Sequence, residues 1–73
     1  MEEKQWWTFT FGYGQKHEGM YVRIYGTFDS TRKIMFERYG SEWSGQYNER
    51  QWRDWESERP SWIHETLLEE IGE

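Results

Sequence analysis

Residues 12–19, GYGQKHEG, gather residue types that do chemistry in many proteins: two glycines one residue apart, a lysine, and a histidine beside a glutamate. A phosphate-cradling P-loop needs two glycines bracketing four residues, then Lys-Ser/Thr opening a helix. Gly12 and Gly14 are too close for that, and an alternating run follows them. A dinucleotide fingerprint needs a third glycine after two intervening residues; His17 occupies that place. His17 and Glu18 are an acid–base pair by type, but no nucleophile or orienting third group accompanies them. The second histidine, His64, begins HETLLEE. A helix there would bring His64, Glu65 and Glu69 together, yet no H-E-x-x-H or Asp-x-Asp spacing supports a metal. The plain reading is a hairpin turn built on glycines that tolerate positive φ. No catalytic residue, cofactor or metal site is expected, and the chain is not expected to be an enzyme.

The flanking runs have the pattern that such a turn would join. In QWWTFTF (5–11) Trp7, Phe9 and Phe11 fall on one face and Trp6, Thr8 and Thr10 on the other. In MYVRIY (20–25) Met20, Val22 and Ile24 share a face opposite Tyr21, Arg23 and Tyr25. Period-2 alternation of strand-favouring residues predicts a hairpin with a long loop. A helix is expected over roughly 30–39, capped by Asp29 or Ser30 and ended by Gly40, with Met35 and Tyr39 on its inner stripe. EWSGQY (42–47) reads as a third strand, with Gly45 a bulge or close-packing point. Asn48 and Gln51 form a capping-box pair for a second helix from about 49 to 57, ended before Pro60, with Trp52 and Trp55 on one face. The segment after Pro60 fits a helix by pattern and a fourth strand as its rival.

These elements define an α+β fold of order β-β-α-β-α-β: one domain over residues 1–73, with helices packed on a small, mainly antiparallel sheet. A chain of 73 residues without cysteine has few means of bracing itself. Its 6 Trp, 5 Tyr and 4 Phe must do so by burying large areas. Trp7, Phe9, Phe11, Val22, Ile24, Phe28, Met35 and Tyr39 are the expected core.

The net charge of −5 is uneven. Residues 12–39 hold five basic and three acidic residues, a net of +2, whereas residues 40–73 hold nine acidic residues and three arginines, a net of −6. An acidic half repels phosphate backbones but can attract a basic groove on a nucleic-acid-handling protein. No apolar run approaches the roughly 20 residues of a membrane span, and the acidic MEEKQWW start lacks a signal-peptide layout. A complete, soluble, cytoplasmic protein is expected.

Two sets of residues are candidates for contact with a partner. Tyr21, Arg23 and Tyr25, beside Trp6, interleave aromatic and basic groups as single-strand-binding sheets do; the competing reading is that the second helix covers them. Glu49, Asp54, Glu56 and Glu58, with Trp52 and Trp55, could imitate phosphates around apolar anchors.

The motifs FGYG (11–14), MFERYG (35–40) and WSGQY (43–47) together resemble small uncharacterised proteins of bacteriophages and integrative mobile elements, over about residues 8–55. In those relatives the corresponding strand reads like WAFQY, from which Ser44 and Gly45 depart. Their tails look like strands, which favours a strand over 64–71 here. The resemblance implies a mobile-element origin and, by analogy of class, an inhibitor of host defence of the anti-CRISPR kind. The expected function is inhibition of a host nucleic-acid-binding protein, such as a CRISPR nuclease, by occupying its basic groove, with no direct nucleic-acid binding. A single-strand nucleic-acid module and a structural accessory protein of a phage or mobile element are the alternatives.

Overall fold

The structure, a computed structural model, describes residues 3–59 and 65–72. The two alternating runs pair as the hairpin β1 (Gln5–Thr10) and β2 (Met20–Gly26), antiparallel, with Trp7 opposite Ile24 and Phe9 opposite Val22. They are the two central strands of a four-stranded sheet in the order β3-β1-β2-β4, whose outer members are β3 (Gly45–Asn48) and β4 (Thr66–Ile71). β3 runs antiparallel to β1, and β4 parallel to β2. So β2, β3 and β4 share one direction and β1 opposes them. The element order is β-β-α-β-α-β, as the sequence predicts.

Two helices make the crossovers: α1 (Phe28–Tyr39) from β2 to β3, and α2 (Glu49–Glu58) from β3 to β4. These crossovers traverse the sheet in opposite directions. Parallel crossovers are right-handed in nearly all proteins, so opposite directions demand opposite faces. That is the arrangement here. Met35 of α1 joins Trp7, Phe9, Phe11, Val22 and Ile24 in the main core, while Trp52 of α2 packs on Tyr21 and Tyr47 across the sheet.

Local chemistry sets the element ends. α1 begins at Phe28, two residues before the expected start, because Thr27 and not Asp29 or Ser30 is its N-cap. Ser30 N–H donates to Thr27 Oγ1 (3.1 Å) and Thr27 N–H to Ser30 Oγ (2.9 Å). Serine thus supplies the reciprocal bond that Glu or Gln usually makes. Gly40 ends α1 at φ +63°, as its position implies. The Asn48–Gln51 box caps α2 as expected, with bonds of 2.8 and 3.0 Å. The third strand covers 45–48 rather than 42–47. Trp43 lies before it, edge-on to Phe9 at 5.2 Å, and Ser44 N–H donates to Thr10 O (2.7 Å), which starts the pairing.

Seven of the eight expected core residues pack together; Phe28 does not. It is 42 % exposed at the first helical position, where Trp7 meets it edge-on with ring centroids 5.3 Å apart and the Arg32 guanidinium lies 5.8 Å over its ring. Thr31 takes the buried place instead, one turn before Met35, and its hydroxyl is satisfied by Thr27 O at 2.8 Å.

β4 settles the ambiguous tail as a strand and adds a feature that alternation alone does not foresee. Its register slips by one residue between Tyr21 and Val22 of the neighbouring strand. Simple alternation puts Leu68 and Ile71 on opposite faces. The irregularity lets both pack on the main core.

Candidate partner-binding surface

The glycine stretch is the hairpin turn. Successive turns close it: Gln15 N–H donates to Gly12 O (3.1 Å), Glu18 N–H to Gln15 O (3.1 Å) and Met20 N–H to His17 O (3.0 Å). Gly14 has the positive φ (+82°) that suits glycine. Gly12 does not; a Cβ there would lie 2.5 Å from Ser44 Oγ, so the close approach of this turn to Ser44 is what a side chain would disturb. His17 packs edge-on against Phe11 and Tyr39 at 5.2 and 5.4 Å. His64 lies outside the described residues. Glu65 precedes and Glu69 occupies a strand rather than a helix.

Tyr21, Arg23 and Tyr25 lie on the sheet face that α2 covers. Tyr21 is stacked at a tilt under Trp52, with centroids 5.0 Å apart, and Tyr25 packs on Trp6 at 5.6 Å. The Arg23 guanidinium sits 5.0 Å over the Trp6 ring. It donates to Glu49 (2.5 Å) and lies 3.6 Å from Glu70. Register explains this: Arg23 and Glu70 are neighbours across the parallel β2–β4 pair, and Glu49 is the first residue of the helix above. The covering-helix reading therefore describes Tyr21 and Arg23, while Tyr25 packs on Trp6 of β1.

The acidic set divides. Glu49 is held by Arg23 and approached by Arg53 at 3.8 Å. Trp52 is only 5 % exposed and anchors α2 to the sheet. Trp52 and Trp55 thus do not share an environment, for Trp55 is 40 % exposed. Asp54, Glu56 and Glu58 are exposed and make no ion pair among the described residues. Of the nine residues singled out in the sequence, Trp55, Asp54, Glu56 and Glu58 are the ones left open to a partner.

Trp55 also borders a cleft of about 310 Å³ between the hairpin loop and the C-terminal half of α2. Its aromatic walls are Phe11, Tyr13, Tyr47 and Trp55, and its carboxylates are Glu18 and Glu65. Trp55 Nε1–H donates to Glu65 Oε1 (2.8 Å), which Arg59 also contacts at 3.2 Å. Gly14 N–H donates to Glu18 Oε2 (3.2 Å), so the turn itself holds that carboxylate. Tyr47 leans back over Gly45, where a Cβ would come within 2.9 Å of its hydroxyl. Gly45 is thus the close-packing point its sequence context implies. Tyr13 and Tyr47 are lining residues that the sequence reading missed, and Glu18 and Glu65 were considered there only for acid–base or metal chemistry. Only tertiary structure joins a hairpin tip to a helix end, so no local pattern marks them.

On the other side of the sheet, Tyr39 donates to Glu69 (2.6 Å), which also pairs with Arg38 (2.5 Å). Burial first, then the Glu69 carboxylate, pushes the Tyr39 phenol up to about 12. No described helix is long and apolar enough to cross a membrane. No family model, curated protein or solved structure matches the chain.

Proposed function

We propose that this chain is a small acidic binding protein of phage or mobile-element type. It acts in the cytoplasm of a bacterial host by docking on the basic groove of a nucleic-acid-handling protein, such as a CRISPR nuclease, and blocking it. The observation that carries this reading is the division of labour within α2. Trp52 anchors the helix, whereas Trp55, Asp54, Glu56 and Glu58, spread around the rest of its surface, are all exposed. An exposed tryptophan among unpaired carboxylates is a fitting contact for a basic surface.

The alternatives find less support. A single-strand nucleic-acid platform needs Tyr21 and Arg23 open, and they lie under α2. A structural accessory protein would assemble through a sheet edge, and on the β4 edge Glu69 and Glu70 oppose strand addition.

The test is a tagged pull-down from bacterial lysate, with and without nuclease treatment. A basic nucleic-acid-handling protein retained after digestion is the expected result. Its capture weakens with salt and is lost in the Asp54→Lys/Glu56→Lys/Glu58→Lys variant. Recovery that depends on intact nucleic acid, or capture indifferent to charge reversal, refutes the reading.

A further inference from the structure

We infer that the cleft at Trp55 is a receptor for one arginine side chain of the partner. This deepens the proposal above and rests on it for the source of the arginine. A guanidinium is attracted to aromatic faces, most strongly to tryptophan, and the cleft offers the rings of Trp55, Tyr47 and Tyr13. Tyr13 is 96 % exposed at the hairpin tip, on the rim of the cleft.

The two carboxylates are held from behind with acceptor capacity left over. Glu65 uses Oε1 for both Trp55 and Arg59, and its Oε2 makes no hydrogen bond among the described residues. Glu18 uses Oε2 for Gly14 N–H, which leaves Oε1. Since Arg59 offsets only one of these two charges, the cleft keeps a net negative charge. Its volume of about 310 Å³ is at the lower end for ligand sites and suits a single side chain. A planar guanidinium both stacks on rings and forks onto carboxylates, whereas a lysine ammonium is a strongly hydrated point charge. The site therefore favours arginine.

The experiment titrates the full chain with N-acetyl-arginine methylamide and follows the Trp55 indole N–H by NMR, assigned with Trp55→Phe. The citrulline analogue has the same shape without the charge, and the lysine analogue has the charge without the plane. The expected result is a saturable shift with arginine alone, weakened about fivefold in Glu18→Gln. Glu18 is exposed in a loop, so that variant keeps its fold, checked by an unchanged spectrum elsewhere. Absence of a saturable shift, or equal shifts with citrulline or lysine, overturns the inference. Because the probe needs no host protein, arginine binding without a captured partner would sink the proposed function alone. A captured partner without arginine binding would sink this inference alone.

Discussion

On the α1 side of the sheet, Phe9, Val22, Ile24 and Met35 have no exposed surface. On the α2 side Trp52 is, among the described residues, the only buried large apolar one, and a charged arginine stands at the centre. Both faces come from the same alternating strands. The polar atoms show the contrast most clearly. Buried Thr31, on the α1 side, has its hydroxyl bonded to Thr27 O. Buried Thr8, on the α2 side, has an Oγ1 with no partner, and so does Arg23 Nε, whose residue is paired with it across the strands. The α1 face carries stability. The α2 face tolerates uncompensated polarity and holds a helix whose outer side is free for contact.

Substitutions can break or sharpen this contrast. The largest effect is expected from Phe9→Ala, which should cost about 3–5 kcal/mol. A chain of this size has roughly 4–11 kcal/mol in all, so urea unfolding should show the variant mostly or wholly depleted of folded protein at modest denaturant. Trp52→Ala should fall at the low end of the same range, about 3 kcal/mol, because its ring packs mainly on Tyr21 and Tyr47 rather than in the main core. Equal midpoints for the two variants would erase the distinction between the faces.

A smaller, signed effect comes from the two threonines. Thr8→Val removes an unpartnered hydroxyl at nearly constant shape and should stabilise by about 1 kcal/mol. Thr31→Val deletes a hydroxyl that donates to Thr27 O and accepts from Gln46 Nε2 (3.3 Å), and should destabilise by about 1 kcal/mol. Thermal or urea melts with the same sign for both would contradict the assignment. The capping boxes should be alike, since they share one mechanism: Thr27→Ala and Asn48→Ala each cost about 1 kcal/mol.

The smallest effect is a pH dependence on the α1 side. Tyr39 is raised from its ordinary 10 to about 12, chiefly by burial and then by Glu69. A raised pKa means that its stabilising contribution is complete below pH 10 and is lost as pH climbs through 12. Phenolate absorbance should therefore include a tyrosine that titrates late, and Tyr39→Phe should remove that step and this part of the alkaline decline. A late step that survives in Tyr39→Phe would contradict the assignment.

Much of this was readable along the chain. Alternation in QWWTFTF and MYVRIY identified the hairpin and the residues facing the main core, because strand geometry ties side-chain direction to sequence parity. The Asn48–Gln51 spacing identified the start of α2 for the same local reason. The Thr27–Ser30 box escaped because serine at the third helical position carries a weaker signal than Glu or Gln. Phe28 was misplaced because hydrophobic type says nothing of how little a first helical turn has to pack against. Gly12 was read as a φ requirement, whereas what a side chain there would disturb is a close approach to a residue 32 positions away.

The candidate surface was legible only in part. Asp54, Trp55, Glu56 and Glu58 stood out by type, but Glu49 and Trp52 looked equivalent to them until the helix was placed on the sheet. By itself the sequence determined the order of the first five elements, the hairpin, the second cap and one face of the core, which depend on local periodicity and spacing; the strand at the tail it left ambiguous. Tertiary structure alone decided which face each helix covers, the slip that brings Leu68 and Ile71 to one core, the pairing of Arg23 with Glu49, and the cleft beside Trp55. Those depend on contacts between segments 20 or more residues apart, and local periodicity carries no record of such distances.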